Sequence, residues 1–136
     1  MSSIKEIYGL SYDVSGFNSG LVKWYNRMID KLPDELDAAD VSRMMRQNIL
    51  KEVAVGKAIN LFMADPYDGE LSDGDLLNTI VTYIHEVRGL GRLDGLGNLL
   101  FRLELEYLDF DWPSEDLKVL YFQNIKKFMN IMKSKE

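Results

Sequence analysis

From residue 17 the large apolar side chains fall at Phe17, Leu21, Trp24, Tyr25, Met28, Ile29 and Leu32, the three-and-four spacing of one helical face. Asn18 or Ser19 supplies an N-cap for this helix, and Pro33 stops it. Asp40 is the expected N-cap of a second helix, with Val41, Met44, Met45 and Ile49 on one side. A third helix carries Val53, Ala54, Ala58, Ile59, Phe62 and Met63, bends near Gly56 and ends before Pro66. Leu76, Leu77, Ile80, Val81, Ile84 and Val87 define a fourth that ends at Gly89, and Leu96, Leu100, Leu103 and Tyr107 a fifth. Leu117, Leu120, Tyr121, Ile125, Phe128 and Met132 define a sixth, with Ser114 as N-cap and Glu115 and Asp116 in the favourable first turn. Ahead of them Tyr8, Leu10, Tyr12 and Val14 alternate with Gly9, Ser11 and Asp13, the period of a short extended segment, although no partner strand accompanies it. The pattern predicts one all-α domain over residues 1–136, a bundle of about six helices whose short connections favour antiparallel neighbours.

Composition narrows the function. With 46% apolar and 28% charged residues the chain has the balance of a folded protein. Its net charge of −6 argues against nucleic acid as a direct ligand, because phosphate binding needs clustered Lys and Arg. A cationic partner suits it better. Absence of cysteine removes disulfides and thiolate chemistry. No run of eighteen apolar residues and no basic-then-apolar start is present, which predicts a cytoplasmic protein without a membrane segment.

The stretch "ADPYDGELSDGDLL", Ala64 to Leu77, holds five acids and two glycines without one Lys or Arg. It fails the calcium-loop template: counting from Asp65, the third position is Tyr67, the sixth Glu70 and the twelfth Leu76, where alternating acids, Gly and Glu are required. Ser72 and Asp75 fit a Ser-x-x-Asp capping box at the start of the fourth helix, with Asp73 favoured by the helix dipole. Asp65, Asp68 and Glu70 have no such role. A second acidic block, Glu104, Glu106, Asp109, Asp111, Glu115 and Asp116, also lacks intervening bases. Glu104 and Glu106 lie two apart on a helix and face different ways, so they are not a hydrolytic pair. His85 is the only histidine, which excludes a multi-histidine metal site; it reads as a helix-surface or boundary residue. The glycine-rich "GLGRLDGLG", Gly89 to Gly97, lacks the Lys-Ser/Thr pair of a phosphate loop and reads as a turn. No nucleophile, base and orienter set emerges, so the chain reads as a binder without metal or cofactor. A helical adaptor and a small-molecule enzyme are the rival classes.

The run "DVSRMMRQNILKEVAVGKAINLFMADPYDGELSDGDLLNTI", Asp40 to Ile80, resembles the central signature of immunity proteins from contact-dependent growth inhibition (CDI) systems. The matching features are a helix ending near Gln47, an apolar helix with Ala58 and Leu61, the Asp65-Pro66 step, and Gly74-Asp75-Leu76-Leu77. Val55-Gly56 stands where the family often has proline. The resemblance implies a non-enzymatic cytoplasmic protein that binds the C-terminal toxin domain of a delivered effector, often a basic nuclease, and blocks it stoichiometrically. On that reading Gln47, Pro66, Ser72, Gly74, Asp75, Leu76 and Leu77 build the fold, with Gln47 a satisfied polar group between helices. The acids Asp65, Asp68, Glu70, Asp73, Glu104, Glu106, Asp109 and Asp111 face the toxin.

Overall fold

A computed structural model describes residues 1–16, 19–87 and 95–134. Among these, seven α-helices follow in order: α1 (Ile4–Tyr8), α2 (Gly20–Ile29), α3 (Ala38–Arg46), α4 (Lys51–Ala64), α5 (Asp75–Tyr83), α6 (Leu96–Glu106) and α7 (Glu115–Ser134). Single 3-10 turns occupy Pro33–Glu35, Ile84–Glu86 and Tyr107–Asp109, and the described residues include no strand. The architecture is therefore all-α, and each of the six periodic segments has its helix.

Helix α5 lies at the centre, packed on α3, α4 and α7; α4 packs also on α3, and α7 on α6. Ala54, Val55, Ala58, Ile59 and Phe62 of α4 are buried, and Phe62 meets Phe128 of α7 with ring centroids 6.3 Å apart. Burying a side chain of that size contributes about 1.5–3 kcal/mol. Ser19 and Ser114 accept from the backbone N–H of Val22 and Leu117, each at the first turn of its helix.

Several local expectations are corrected. The N-terminal segment is not extended through Tyr8: Ser3 and Glu6 form a capping box that starts α1, Gly9 at φ +67° ends it, and Ile4 is fully buried. Five residues are too few to show a helical period. Asp37, not Asp40, caps α3, because the two carboxylates exchange bonds with each other's backbone N–H at 2.9 and 3.2 Å and Asp40 is the third residue of that box. Helix α3 stops at Arg46, before Ile49, and Asn48 and Leu50 take positive φ (+56° and +46°) to break it from α4. Helix α4 runs through Gly56 as continuous helix. Gln47 is exposed at the C-cap of α3, where its backbone N–H bonds Arg43; it is not a polar group buried between helices. His85, by contrast, lies where expected, exposed at the helix boundary in the turn after α5. The glycine-rich stretch lies mostly outside the described residues.

One buried carboxylate locks α2 to α3. Asp40, 4% exposed, accepts from Trp24 Nε1 at 3.0 Å, Lys31 Nζ at 2.6 Å and the Asp37 N–H at 3.2 Å. Burial, the largest influence, pushes its pKa up, but the bonds from Lys31, Trp24 and Asp37 together outweigh it and hold the carboxyl below its ordinary value. A depressed folded pKa gives stability that is present above the unfolded value, about 3.9, and lost as the pH falls through the folded value. Asp40→Ala is expected to cost about 3 kcal/mol at neutral pH, the low end for a broken buried pair because Lys31 is one-third exposed. In urea titrations the gap between variant and parent should close as the pH drops below about 3.9. A gap that stays constant in acid would show that the charge of Asp40 contributes nothing.

Candidate functional site

The α4–α5 connection is built inward from one carboxylate. Asp75, the first residue of α5, accepts from three successive backbone N–H groups: Glu70 at 2.7 Å, Leu71 at 2.9 Å and Ser72 at 3.0 Å. Successive amides wrapped around an anion form a nest, and here the anion belongs to the chain itself. The wrap is tight enough to need glycine at position 69. A Cβ there would lie 2.0 Å from the Ser72 carbonyl oxygen and 2.4 Å from Asp75 Oδ1. Gly74 is constrained twice over, by φ +79° and by the Tyr121 ring, which a Cβ would approach to 2.7 Å. The N–H of Gly74 bonds the Tyr67 carbonyl at 2.7 Å and that of Leu76 bonds the Asp68 carbonyl at 3.2 Å.

Ser72 is not the side-chain cap expected of it. Gly74 occupies the N-cap position, the Asp75 N–H bonds the Ser72 carbonyl, and the Ser72 hydroxyl stands 3.5 Å from the Asp75 carboxylate. Only the half of the box in which the acid reaches back is formed. Leu76 and Leu77 are fully buried.

An aromatic cluster carries this loop against the C-terminal half. Tyr67 stacks on Phe110 at 4.2 Å and 10°, meets Trp112 edge-on at 5.7 Å and lies 5.3 Å from Tyr121. Tyr121 donates its hydroxyl to the Pro66 carbonyl at 2.7 Å, and Trp112 Nε1 donates to the Tyr107 carbonyl at 2.7 Å. Burial raises the pKa of Tyr67, and the charges of Glu106 and Asp109 raise it further. The two acidic blocks, separate in sequence, are therefore neighbours across one cluster of rings.

Their charges fall into two groups, which corrects the expectation that the blocks lack compensating bases. Arg46 grips Glu70 with both terminal guanidinium nitrogens, Nη1 to Oε1 at 2.7 Å and Nη2 to Oε2 at 2.8 Å, tying the loop to the end of α3. Glu104 is paired with Lys126, Glu106 with Arg102 at 3.5 Å and Glu115 with Lys118 at 2.8 Å. By contrast, Asp65 and Asp68 accept only the local N–H groups of Tyr67 and Gly69, while Asp73, Asp109 and Asp111 are exposed and, among the described residues, have no hydrogen-bond or ion-pair partner. The Asp68 carboxyl titrates above its ordinary value, chiefly from partial burial, with Asp65, Asp37 and Asp75 adding repulsion against the opposing bond from Gly69. A shallow polar cleft of about 290 Å³ is lined by residues of this loop. At its edge Leu71, whose N–H is fixed by Asp75, holds its side chain 88% exposed. Sequence reasoning missed Gly69, Arg46 and the rings. The rings had one signal, aromatic residues set among acids in "DFDW".

Among the described residues no group of three or more His, Cys, Asp or Glu side chains could hold a metal ion, and no helix is long and apolar enough to cross a membrane. The family model of the CDI immunity proteins matches residues 6–88, more than half of the chain. The chain belongs to that family. Its members bind a cognate CDI toxin and generally have no catalysis of their own. A search of curated proteins finds no match to it. In this immunity protein the matched region contains α3, α4, α5 and the whole Asp75-centred loop, whereas the Phe110 and Trp112 rings that brace the loop lie beyond it.

Because Asp75 serves three amides and Ser72 serves mainly through its backbone, their substitutions should differ. Asp75→Ala is expected to cost about 2–4 kcal/mol, since hydrogen bonds to charged groups are worth about 1.5–3 kcal/mol each and this site is half-buried. Ser72→Ala should stay within about 0.5 kcal/mol, the range of a neutral surface change. Denaturant midpoints of the two variants check this; equal losses would restore the hydroxyl as the cap.

Proposed function

We propose that this immunity protein neutralises a nuclease toxin in the cytoplasm by stoichiometric occlusion, laying its acidic face on the basic surface with which the nuclease holds RNA or DNA. The observation that carries the reading is the union of Asp65, Asp68 and Asp73 with Asp109 and Asp111 beside one aromatic cluster, with no basic partner for any of them among the described residues. A nuclease needs Lys and Arg against phosphate, so its substrate site is the surface to which such a face is complementary. Family membership supplies the toxin, and the net charge of −6 supplies a field of the right sign.

Glu70, Glu104 and Glu106 take a supporting part on this reading, because each is already engaged with a base of the same chain. Leu71 supplies an apolar anchor inside a charged rim, the arrangement in which a desolvated contact sets the lifetime of a complex while rim charges set its rate of formation. The loop binds without ordering cost, since its amides are satisfied before the partner arrives.

The five aspartates converted together to asparagine should fold like the parent and associate with the cognate toxin about 10–100-fold more slowly at low salt, with a flatter dependence on ionic strength. Leu71→Ala should leave the association rate unchanged and speed dissociation about tenfold. Stopped-flow binding at several salt concentrations reads both effects. Association of the asparagine variant at the parent's rate and salt dependence would refute the acidic-face mechanism.

A further inference from the structure

Helix α6 presents a second surface, on the side opposite its core residues. Leu96, Leu99, Leu100 and Leu103 are buried, yet Phe101, Leu105 and Leu108 are 60%, 67% and 61% exposed. Their spacing of four and then three residues puts all three side chains on one face, continued into the 3-10 turn at Leu108. Isolated exposed apolar residues are ordinary; three large ones in register are a mark of an interface.

The flanks of this stripe identify its occupant. Arg102 and Glu106 lie along one flank, 60% and 53% exposed, and pair with each other at only 3.5 Å in the single chain. They straddle the middle of the stripe. A two-fold axis through that middle, perpendicular to the helix, lays a second α6 antiparallel on the first and brings the same flank of each copy together. Arg102 of each copy then stands level with Glu106 of the other, so both ion pairs re-form across the interface beside the joined apolar stripes. Glu104 on the other flank is already neutralised by Lys126 and adds little repulsion there. A cation and an anion placed symmetrically about the centre of an apolar stripe are complementary to their own copy; a uniformly basic partner would be repelled by Arg102.

We propose that the protein associates with a second copy of itself through α6, as an antiparallel helix pair centred on Leu105. The contact is small, below the usual area of a stable interface, so the dimer is concentration-dependent with a dissociation constant on the order of micromolar. The Arg102–Glu106 flank borders the acidic face at Tyr67, and self-association through the apolar stripe does not depend on the toxin.

Sedimentation velocity of the full chain over about a hundredfold range of concentration tests the proposal, and the parent should shift from monomer to dimer. Leu105→Glu should remain monomeric throughout while keeping the parent's circular dichroism and melting profile. Arg102→Glu and Glu106→Arg should each weaken self-association about tenfold, since each replaces two attractions by repulsions. Mixed in equal amounts, the two variants should form a heterodimer at the parent's affinity or better, because every flank pair becomes complementary again. That recovery cannot arise from a pair confined within one chain. A parent that is monomeric at all concentrations would overturn the proposal, as would a Leu105→Glu variant that still dimerises or a mixture that associates no better than its components. A monomeric parent whose Leu105→Glu variant loses toxin binding would assign the stripe to the toxin and overturn it equally.

Discussion

The carboxylate of Asp75 is the interaction on which the face of this molecule depends. Eleven residues separate the end of α4 at Ala64 from the start of α5 at Asp75 if Asp75 is included, and an acidic segment of that length has no reason of its own to hold one shape. Three amide bonds to a single anion at the head of a helix supply the reason, and they do so with a charge that is stabilised there by the N-terminal dipole as well. Everything outward of this point inherits its position: Glu70 reaches Arg46, Leu71 turns outward, and Tyr67 lies against its rings. The acids nearest the hub thus do two jobs. Asp75 and Glu70 hold the loop, and Asp65, Asp68 and Asp73 form its outer charge.

That division explains why so acidic a segment is stable when folded. Asp68 feels repulsion from Asp65, Asp37 and Asp75. The repulsion is tolerated because the amide nest and the Arg46 fork neutralise the innermost charges. Rigidity and surplus charge in one loop are the two properties that favour rapid, specific capture, as little ordering remains to be done after encounter.

Much of the fold was legible from the sequence because helices buried on one side must repeat their apolar residues every three or four positions, and six of the seven do. Helix α1 was not legible, since its five residues hold one buried isoleucine and no period. Family membership was legible in the run from Asp40 to Ile80, which falls inside the residues the family model matches. The acidic loop was legible as unusual but not in its mechanics. Ser72 and Asp75 satisfy a capping pattern, yet the pattern does not say that Gly74 takes the left-handed cap position and displaces the serine hydroxyl. Nor can linear spacing reveal a base 24 residues away on another helix, which is why Glu70 read as unpaired. The joining of the two acid blocks rests on Tyr121, whose contact with Pro66 spans 55 residues of chain. Contacts of that separation are set by the packing of α5 on α7 and leave no local trace.

That one carboxylate fixes the shape of the α4–α5 loop is tested most directly by amide hydrogen exchange in the free protein. The N–H groups of Glu70, Leu71 and Ser72 should exchange slowly in the parent, though Leu71 is at the surface. In Asp75→Asn they should exchange rapidly while the amides of α3, α4 and α7 keep their protection. Fast exchange at these three amides in the parent, or slow exchange that survives the substitution, would contradict the account.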